Sequence, residues 1–242
     1  MSDSRSYFEI IERLETLRDE PARVHRVARF NEAFARLNRE RGLAIQPERV
    51  VLVAGTNGKG TVSKTLETLL RQPGRSIGLF TSPHMTETTE RIHSDGRDLT
   101  RDEFVSCFRT VEPYSEGLSH FELLTLMMAE AFFGGRLRRA VDFAIIEVGV
   151  GGRLDPTRSV PHGVSVITKI GLDHEELLGG SLDAIAREKF AIVDLANFVI
   201  VAPLSDEIRG AFEERRRETS AIYTEVPNAR HSVERSGRAP TW

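Results

Sequence analysis

The chain has 242 residues, 40% of them hydrophobic and 29% charged, and these proportions are typical of a globular protein with a well-buried core. Its 33 Lys and Arg residues against 36 Asp and Glu residues give a formal net charge of −3, which provides no overall attraction to nucleic acid or to an anionic membrane surface. Because there is one cysteine, Cys107, and no apolar run near the roughly 20 residues of a membrane span, we expect a cytoplasmic protein with no nucleic-acid or membrane partner.

Two amphipathic helices are predicted within residues 7–43, where apolar residues recur at intervals of three or four on either side of Pro21. Strands and helices then alternate. The predicted strands are 50–54, 76–81, 141–148, 164–170 and 198–202, with 221–226 as a candidate sixth. The predicted helices are 104–111, 121–133, 182–192 and 208–217, and one more that carries Val62, Leu66, Leu69 and Leu70. This order predicts an α/β fold, a doubly wound and mostly parallel sheet with helices on both faces.

A glycine-rich segment follows the first predicted strand and reads Gly55-Thr56-Asn57-Gly58-Lys59-Gly60-Thr61. Three glycines permit a tight turn that directs backbone N–H groups at one point, and the following helix adds its positive end. This arrangement suits ATP, with Lys59 at the terminal phosphates and the Thr61 hydroxyl on the accompanying Mg²⁺. Because Gly60 follows Lys59, the segment departs from the pattern G-x-x-x-x-G-K-[ST], and a purely structural glycine turn is an alternative for this motif alone.

Further motifs accompany this loop in chain order. They are Thr81-Ser82-Pro83-His84 with Glu90-Arg91-Ile92, His120-Phe121-Glu122-Leu123-Leu124-Thr125, the run from Glu147 to Asp155, and the group Asp173-His174, Leu178-Gly179 and Glu188-Lys189. Together with residues 53–61 they resemble the folylpolyglutamate synthase and dihydrofolate synthase branch of the Mur ligase superfamily. The resemblance implies a P-loop NTPase-like Mur ligase central domain over residues 1–226. A polar tail is predicted over residues 227–242, and the family's C-terminal amino-acid-binding domain is expected to be absent.

Glu147 ends an apolar predicted strand, so its carboxylate is expected at the carboxyl edge of the sheet, where open α/β sheets bind ligands. His174 follows another strand and is expected at the same edge. A solvated strand-end glutamate and a structural histidine are the alternatives. The resemblance implies that Thr61, Ser82, Glu147 and His174 surround two magnesium ions, whose preference for oxygen ligands fits most of this set.

Lys189 lies on a predicted helix, and by itself it would be interpreted as a solvated surface lysine. The resemblance implies instead that CO₂ carbamylates it to an anionic ligand of the second magnesium ion, and it implies catalytic roles for Lys59, Lys189 and His174. The sequence departs from the family pattern at Phe190 and Ala191, where the family continues Ala-Gly, and at Arg158, where the family has asparagine.

One further segment is interpreted as part of the hydrophobic core, and another as a loop that contacts substrate. Phe121, Leu124, Met128 and Phe132 recur at helical spacing and are expected mostly in the core. Residues 81–91 are expected to form a mobile substrate loop, because they leave the same edge of the sheet as the glycine-rich segment.

The resemblance implies an ATP-dependent carboxylate–amine ligase. The γ-phosphate of ATP would pass to the carboxylate of dihydropteroate or a folate, and L-glutamate would attack the acyl phosphate to form an amide. A separate chain that supplies the missing C-terminal domain is a candidate partner. The alternative function is a nucleotide-binding or regulatory module without ligase activity.

Overall fold

The computed structural model describes residues 2–17, 24–135, 139–193 and 198–227. The helices in these ranges are α1 (Ser2–Thr16), α2 (Val24–Arg41), α3 (Lys59–Leu70), α4 (Arg101–Val111), α5 (His120–Phe133), α6 (Glu175–Leu178), α7 (Leu182–Phe190) and α8 (Asp206–Glu218). The strands are β1 (Val50–Ala54), β2 (Ile77–Phe80), β3 (Ile92–Ser94), β4 (Arg97–Asp98), β5 (Phe143–Glu147), β6 (Val164–Ile167), β7 (Phe198–Val201) and β8 (Ile222–Glu225). Pro21 lies outside the described residues.

The strands form one sheet in the order β4-β3-β2-β5-β1-β6-β7-β8. All pairs from β2 across to β8 are parallel, whereas β3 pairs antiparallel with both β2 and β4. The predicted mostly parallel α/β fold is therefore confirmed. The antiparallel edge was not predicted, because strands of three and two residues are too short for a recognisable alternation.

Alternate residues of the central strand β1 face two separate cores. Val53 faces α3, whose Val62, Leu66 and Leu70 pack against it, while Leu52 and Ala54 belong to the larger core on the opposite face. That larger core is formed with α1, α2, α4, α5, α7 and α8. Both faces are thus covered with helices, as expected for strands that read as continuous apolar runs.

Helix α5 is buried on nearly all sides. Leu124, Met128 and Phe132 are fully buried, which confirms their assignment to the core, and Phe121 is partly buried at its edge. A capping box fixes the start of the helix, because the Ser119 N–H donates to Glu122.

Within the described ranges, no helix combines the length and the apolar character needed to cross a membrane. The division into a domain over residues 1–226 and a tail over residues 227–242 stays a prediction, since residues 228–242 lie outside these ranges.

Candidate nucleotide site

The glycine-rich segment connects β1 to α3 and is fixed to the loop that follows β6. The Thr56 and Asn57 N–H groups donate to the Lys169 carbonyl at 2.9 and 3.2 Å. Gly55 has a φ of 145°, and a Cβ at that position would lie 1.9 Å from the Thr168 Oγ1. Only glycine therefore fits at residue 55, both for its backbone conformation and for space.

The donors that this segment offers come from the start of α3. The first N–H with a helical acceptor is that of Val62, which donates to the Gly58 carbonyl at 2.9 Å. Among the residues that the structure describes, the N–H groups of Lys59, Gly60 and Thr61 have no backbone acceptor. The sequence predicted a convergence of several loop N–H groups. Since the Lys169 carbonyl accepts two of them, the remaining donors of this segment are those of the helix N-terminus, the kind of position that binds anions in proteins.

Two lysine ammonium groups share one backbone carbonyl in this segment. The Lys59 Nζ donates to the Gly55 carbonyl at 3.0 Å and to the Thr56 carbonyl at 3.3 Å. The Lys189 Nζ donates to the same Gly55 carbonyl at 3.1 Å, and Lys189 is only 2% exposed. The interpretation of Lys189 as a solvated surface lysine is therefore wrong.

Burial lowers the pKa of Lys189 from 10.5 to about 8, and the nearby charge of Lys59 contributes to this effect. The carboxylates of Asp173, Asp155 and Glu188 oppose it. An amine with this pKa is neutral in about a tenth of the molecules at pH 7. A neutral amine is the form that reacts with CO₂, so the environment suits carbamylation, which stays a prediction.

Beside the start of α3 lies an open groove of about 740 Å³. Its lining includes Gly60, Thr61, Lys64, Thr65, Thr68, Leu69, Thr81, Ser82, Pro83, Met85, Glu90, Asp98 and Glu147. The Ser82 N–H donates to the Glu147 Oε2 at 3.2 Å, and Glu147 is 4% exposed. The structure thus brings Thr61, Ser82 and Glu147, three of the predicted magnesium ligands, to one groove.

Glu147 is a buried carboxylate that accepts the Ser82 N–H. Its burial raises its pKa, and the Ser82 N–H, the Lys59 ammonium and the Arg91 guanidinium partly offset that increase. Among the described residues, no group of three or more His, Cys, Asp or Glu side chains is arranged to hold a metal ion. A cation at Glu147 would therefore need hydroxyl oxygens and ligand oxygens to complete its coordination, as magnesium commonly does.

Comparison with known proteins identifies the family. The sequence profile of the Mur ligase middle domain matches residues 53–236, which is more than half of the chain. The chain belongs to the Mur ligase family.

The proteins that this chain is similar to are named as dihydrofolate synthases and folylpolyglutamate synthases. A dihydrofolate synthase/folylpolyglutamate synthase of Buchnera aphidicola is 40% identical over 158 residues, which cover 64% of this chain and 38% of the relative. The Mycobacterium tuberculosis folylpolyglutamate synthase complexed with ADP superposes with a TM-score of 0.80 at 26% identity, over 92% of this chain and 50% of that chain. A bifunctional folylpolyglutamate synthase/dihydrofolate synthase with Mn, AMPPNP and L-glutamate bound gives 0.76 at 31% identity, over 90% and 51%. The chain therefore spans about half the length of these structures, and less of the curated relative.

His174 is not among the residues that line the groove of this Mur ligase domain. Its side chain is 47% exposed, and its Nε2 lies 3.6 Å from the Asp173 Oδ1. Its roles as a magnesium ligand and a catalytic residue stay predictions.

The loop over residues 81–91 lines the groove with Thr81, Ser82, Pro83, Met85 and Glu90, and it is held by Glu90, to which the sequence assigned no individual role. The Glu90 carboxylate accepts the N–H groups of Met85, Thr86 and Glu87 at 2.7–2.9 Å. Glu87 and Glu90 also form a capping box around the short helical turn Thr88–Arg91. The signal in the sequence was a potential cap followed by glutamate three residues later.

Asp155 holds the glycine-rich turn after β5, and sequence reasoning assigned it no role. It is buried and accepts the Val150 and Thr157 N–H groups at 3.0 Å each, as well as the Thr157 hydroxyl. Arg158 lies three residues further on. It lines a separate pocket and is not part of the groove that contains Glu147.

Proposed function

We propose that this chain is the ATP-binding part of an ATP-dependent carboxylate–amine ligase that activates a folate-type carboxylate for amide formation with L-glutamate. The observation that carries the proposal is the convergence of Thr61, Ser82 and Glu147 on one groove, beside the first turn of α3 and the Lys59 ammonium. The folate-related names of the relatives and the nucleotides bound in the solved structures support it.

The start of α3 would bind the phosphates of ATP. The N–H groups of Lys59, Gly60 and Thr61 are available as donors, and the positive end of the helix dipole adds to them. The Lys59 ammonium needs only a side-chain rotation to exchange the Gly55 and Thr56 carbonyls for phosphate oxygens. In this position it would stabilise the negative charge on the transferred phosphoryl group.

The donor set of the groove fits magnesium. Glu147 provides a buried carboxylate, and Thr61 and Ser82 provide hydroxyls, so we propose these three as ligands, with His174 and a carbamylated Lys189 serving a second ion. Bound magnesium would screen the phosphates from the incoming carboxylate. The chain itself orients these ligands, because the Ser82 N–H holds the Glu147 carboxylate in place.

The remainder of the groove would hold the carboxylate substrate. Its volume of about 740 Å³ is within the usual range of roughly 300–1,000 Å³ for small-molecule sites. Thr65 and Thr68 offer hydroxyls along α3, while Leu69 and Met85 offer exposed apolar surface on either side. A dihydropteroate or folate, with a flat ring and an acidic end, matches this combination.

We further propose that the glutamate site belongs to the part of the longer relatives that this chain does not span, whether that part is encoded in the same chain or in a separate one. The purified 242-residue chain is then expected to bind MgATP in calorimetry and to show little or no ATP-dependent glutamylation of dihydropteroate or tetrahydrofolate. Addition of the second half of a relative should raise the rate. Full glutamylation by this chain alone would refute its incompleteness.

The same assay separates the ligase from a regulatory nucleotide-binding module. ATP turnover is measured with and without pteroate-type acids. Stimulation by the acid supports the ligase, and MgATP binding that no folate alters, even with the second half added, supports the module.

A further inference from the structure

The last two strands of the sheet, β7 and β8, have one covered face and one exposed face. Val199 and Val201 of β7 are buried in the larger core, in which Phe212 of α8 also packs. Successive residues of a strand point to opposite faces, so the alternate residues lie on the other side of the sheet. Three large apolar side chains there are exposed, namely Phe198 at 56%, Ile200 at 41% and Ile222 at 61%.

These side chains extend the apolar surface beneath α3. Phe198 is paired in register with Val164 of β6 on one side and with Ile222 of β8 on the other, and residues paired in this way point to the same face. Val164 packs against the smaller core that α3 covers. The apolar surface therefore continues across β7 and β8, past the part of the sheet that α3 covers.

Val226 adds a fourth apolar side chain to this surface. Its N–H donates to the Val201 carbonyl at 2.8 Å, which continues the pairing of β8 with β7 by one residue. Alternation along the strand places Val226 on the same face as Ile222, and it is 44% exposed. We refer to Phe198, Ile200, Ile222 and Val226 as the β7–β8 face.

An exposed apolar face is unusual for parallel strands. Such strands occur almost only in sheets with both faces covered, and β7, with the sequence Phe-Val-Ile-Val, is apolar on both of its sides. The other large apolar side chains that are exposed among the described residues lie on other elements, and they are Phe8, Leu69, Met85, Leu172 and Leu177. A contiguous exposed apolar patch is typical of a contact with another polypeptide.

The solved structures indicate which polypeptide is available for this contact. They match 90–92% of this chain but only 50–51% of their own length, so each contains about as much polypeptide again. The described part of this chain ends at residue 227, directly after Val226 of the β7–β8 face. Polypeptide that continues from β8 in a longer chain therefore starts beside this exposed surface.

We propose that the β7–β8 face binds the half of the longer relatives that this chain does not span, whether that half is encoded in the same chain or in a separate one. Since the face is apolar, the surface that covers it is an apolar face of a helix or a strand. The inference concerns association alone. It requires neither nucleotide binding nor ligase chemistry, so its failure would leave the ligase proposal unchanged.

The test is calorimetric titration of the 242-residue chain with the unmatched half of the bifunctional relative, without ATP or folate. Binding is expected. Phe198→Ala should weaken it about tenfold, because one large apolar side chain is removed from the contact. Ile222→Thr should weaken it to a similar extent while it keeps a β-branched residue in the strand. Phe8→Ala is the matched control, because Phe8 is 53% exposed on α1, and it should leave the affinity unchanged.

Circular dichroism checks that each variant and the unmatched half fold. Absence of binding by the folded half overturns the proposal, and so do equal losses of affinity in Phe198→Ala, Ile222→Thr and Phe8→Ala. If the half does not fold alone, it is fused after residue 227, and hydroxyl-radical footprinting compares the fusion with the 242-residue chain. Labelling of Phe198 and Ile222 should then fall several-fold while that of Phe8 stays constant, and unchanged labelling of all three overturns the proposal.

A second copy of this chain is the competing occupant of the β7–β8 face. Sedimentation velocity separates the two cases, and the 242-residue chain is expected to sediment as a monomer. A dimer that dissociates in the Phe198→Ala variant would assign the face to a second copy and would overturn the proposal.

Discussion

Two positively charged residues on opposite sides of α7, Lys189 and Arg187, differ in how far they are buried. Lys189 is 2% exposed and donates to the Gly55 carbonyl of the glycine-rich segment. Arg187, two residues earlier, has a side chain that is 40% exposed and lies between Asp183 and Glu214. Two residues correspond to about 200° around a helix, so the two charges point to opposite sides. Burial destabilises the charged form of Lys189, whose ammonium group contacts the candidate site. The guanidinium group of Arg187 is partly exposed, and water can replace its two carboxylate partners.

The largest effect is expected on MgATP binding, from replacement of Lys59, which shares the Gly55 carbonyl with Lys189. Lys59→Ala should weaken MgATP binding by about 100-fold or more, because the loss of charge-assisted contacts with phosphate amounts to several kcal/mol. Calorimetric titration measures this effect. Lys169→Ala is the control, since its side chain is exposed and its loop contacts are made by its backbone carbonyl. Retained MgATP affinity in Lys59→Ala would refute the assignment of the phosphate loop.

The carbonyl that both lysines use depends on the conformation of Gly55. Gly55→Ala should lower the free energy of unfolding by about 3 kcal/mol or more, because its φ is 145° and its Cβ would overlap Thr168. Urea denaturation measures the change. Gly210→Ala on α8 is the control, because its Cβ would meet nothing within 4 Å, and it should stabilise the chain by about 0.5–1 kcal/mol. Equal effects of the two substitutions would contradict this account.

Replacement of the buried charge itself is expected to stabilise the chain. The pKa of Lys189 is about 8 in the folded chain and 10.5 ordinarily, so the unfolded chain binds more protons between these values, and stability should rise with pH through this window. Below pH 8 the free-energy cost of burying the charged Lys189 ammonium is fully present. Lys189→Met should therefore raise the free energy of unfolding by about 2 kcal/mol at pH 7.

The comparison of Lys189→Met with the unaltered chain is repeated at pH 10, where the difference should be much smaller, because the amine is then largely neutral in the folded chain. Urea denaturation at both pH values provides the measurement. A difference that does not depend on pH would show that packing, and not charge, determines the effect.

The smallest effect is expected on the exposed side of α7. Arg187→Gln should change the free energy of unfolding by less than about 1 kcal/mol, because its ion pairs with Asp183 and Glu214 are partly exposed. High salt should reduce even this difference. Thermal unfolding at low and high salt measures it, and a salt-independent loss above about 2 kcal/mol would remove the distinction between the two sides of the helix.

Much of the fold could be predicted because the parallel strands are buried and their apolar runs are continuous. The predicted strand 50–54 coincides with β1, and the predicted strand 141–148 contains β5. Boundaries were less exact, since α7 ends at Phe190 and not at residue 192. The pairing of β3 with β4 was missed, because a few residues do not form a detectable period.

The residues of the candidate site could be predicted where they lie at the ends of strands. Glu147 is the last residue of the apolar strand β5, and a parallel sheet places such residues at one edge, so its meeting with Thr61 could be anticipated. The support from Asp155 could not, because it acts through contacts with backbone N–H groups whose directions depend on the turn that it stabilises.

The sequence by itself determined the order of the parallel strands and of the longer helices, the glycine that the loop requires after β1, and the group of polar residues at strand ends. These follow from local properties, namely apolar periodicity and the conformational freedom of glycine. Only the tertiary structure decided that Lys189 is buried against Gly55, that His174 does not line the groove with Glu147, and that Arg158 joins three other arginines in a separate pocket. The direction of a side chain on a helix depends on what packs against it, and that packing partner can lie more than a hundred residues away in the chain.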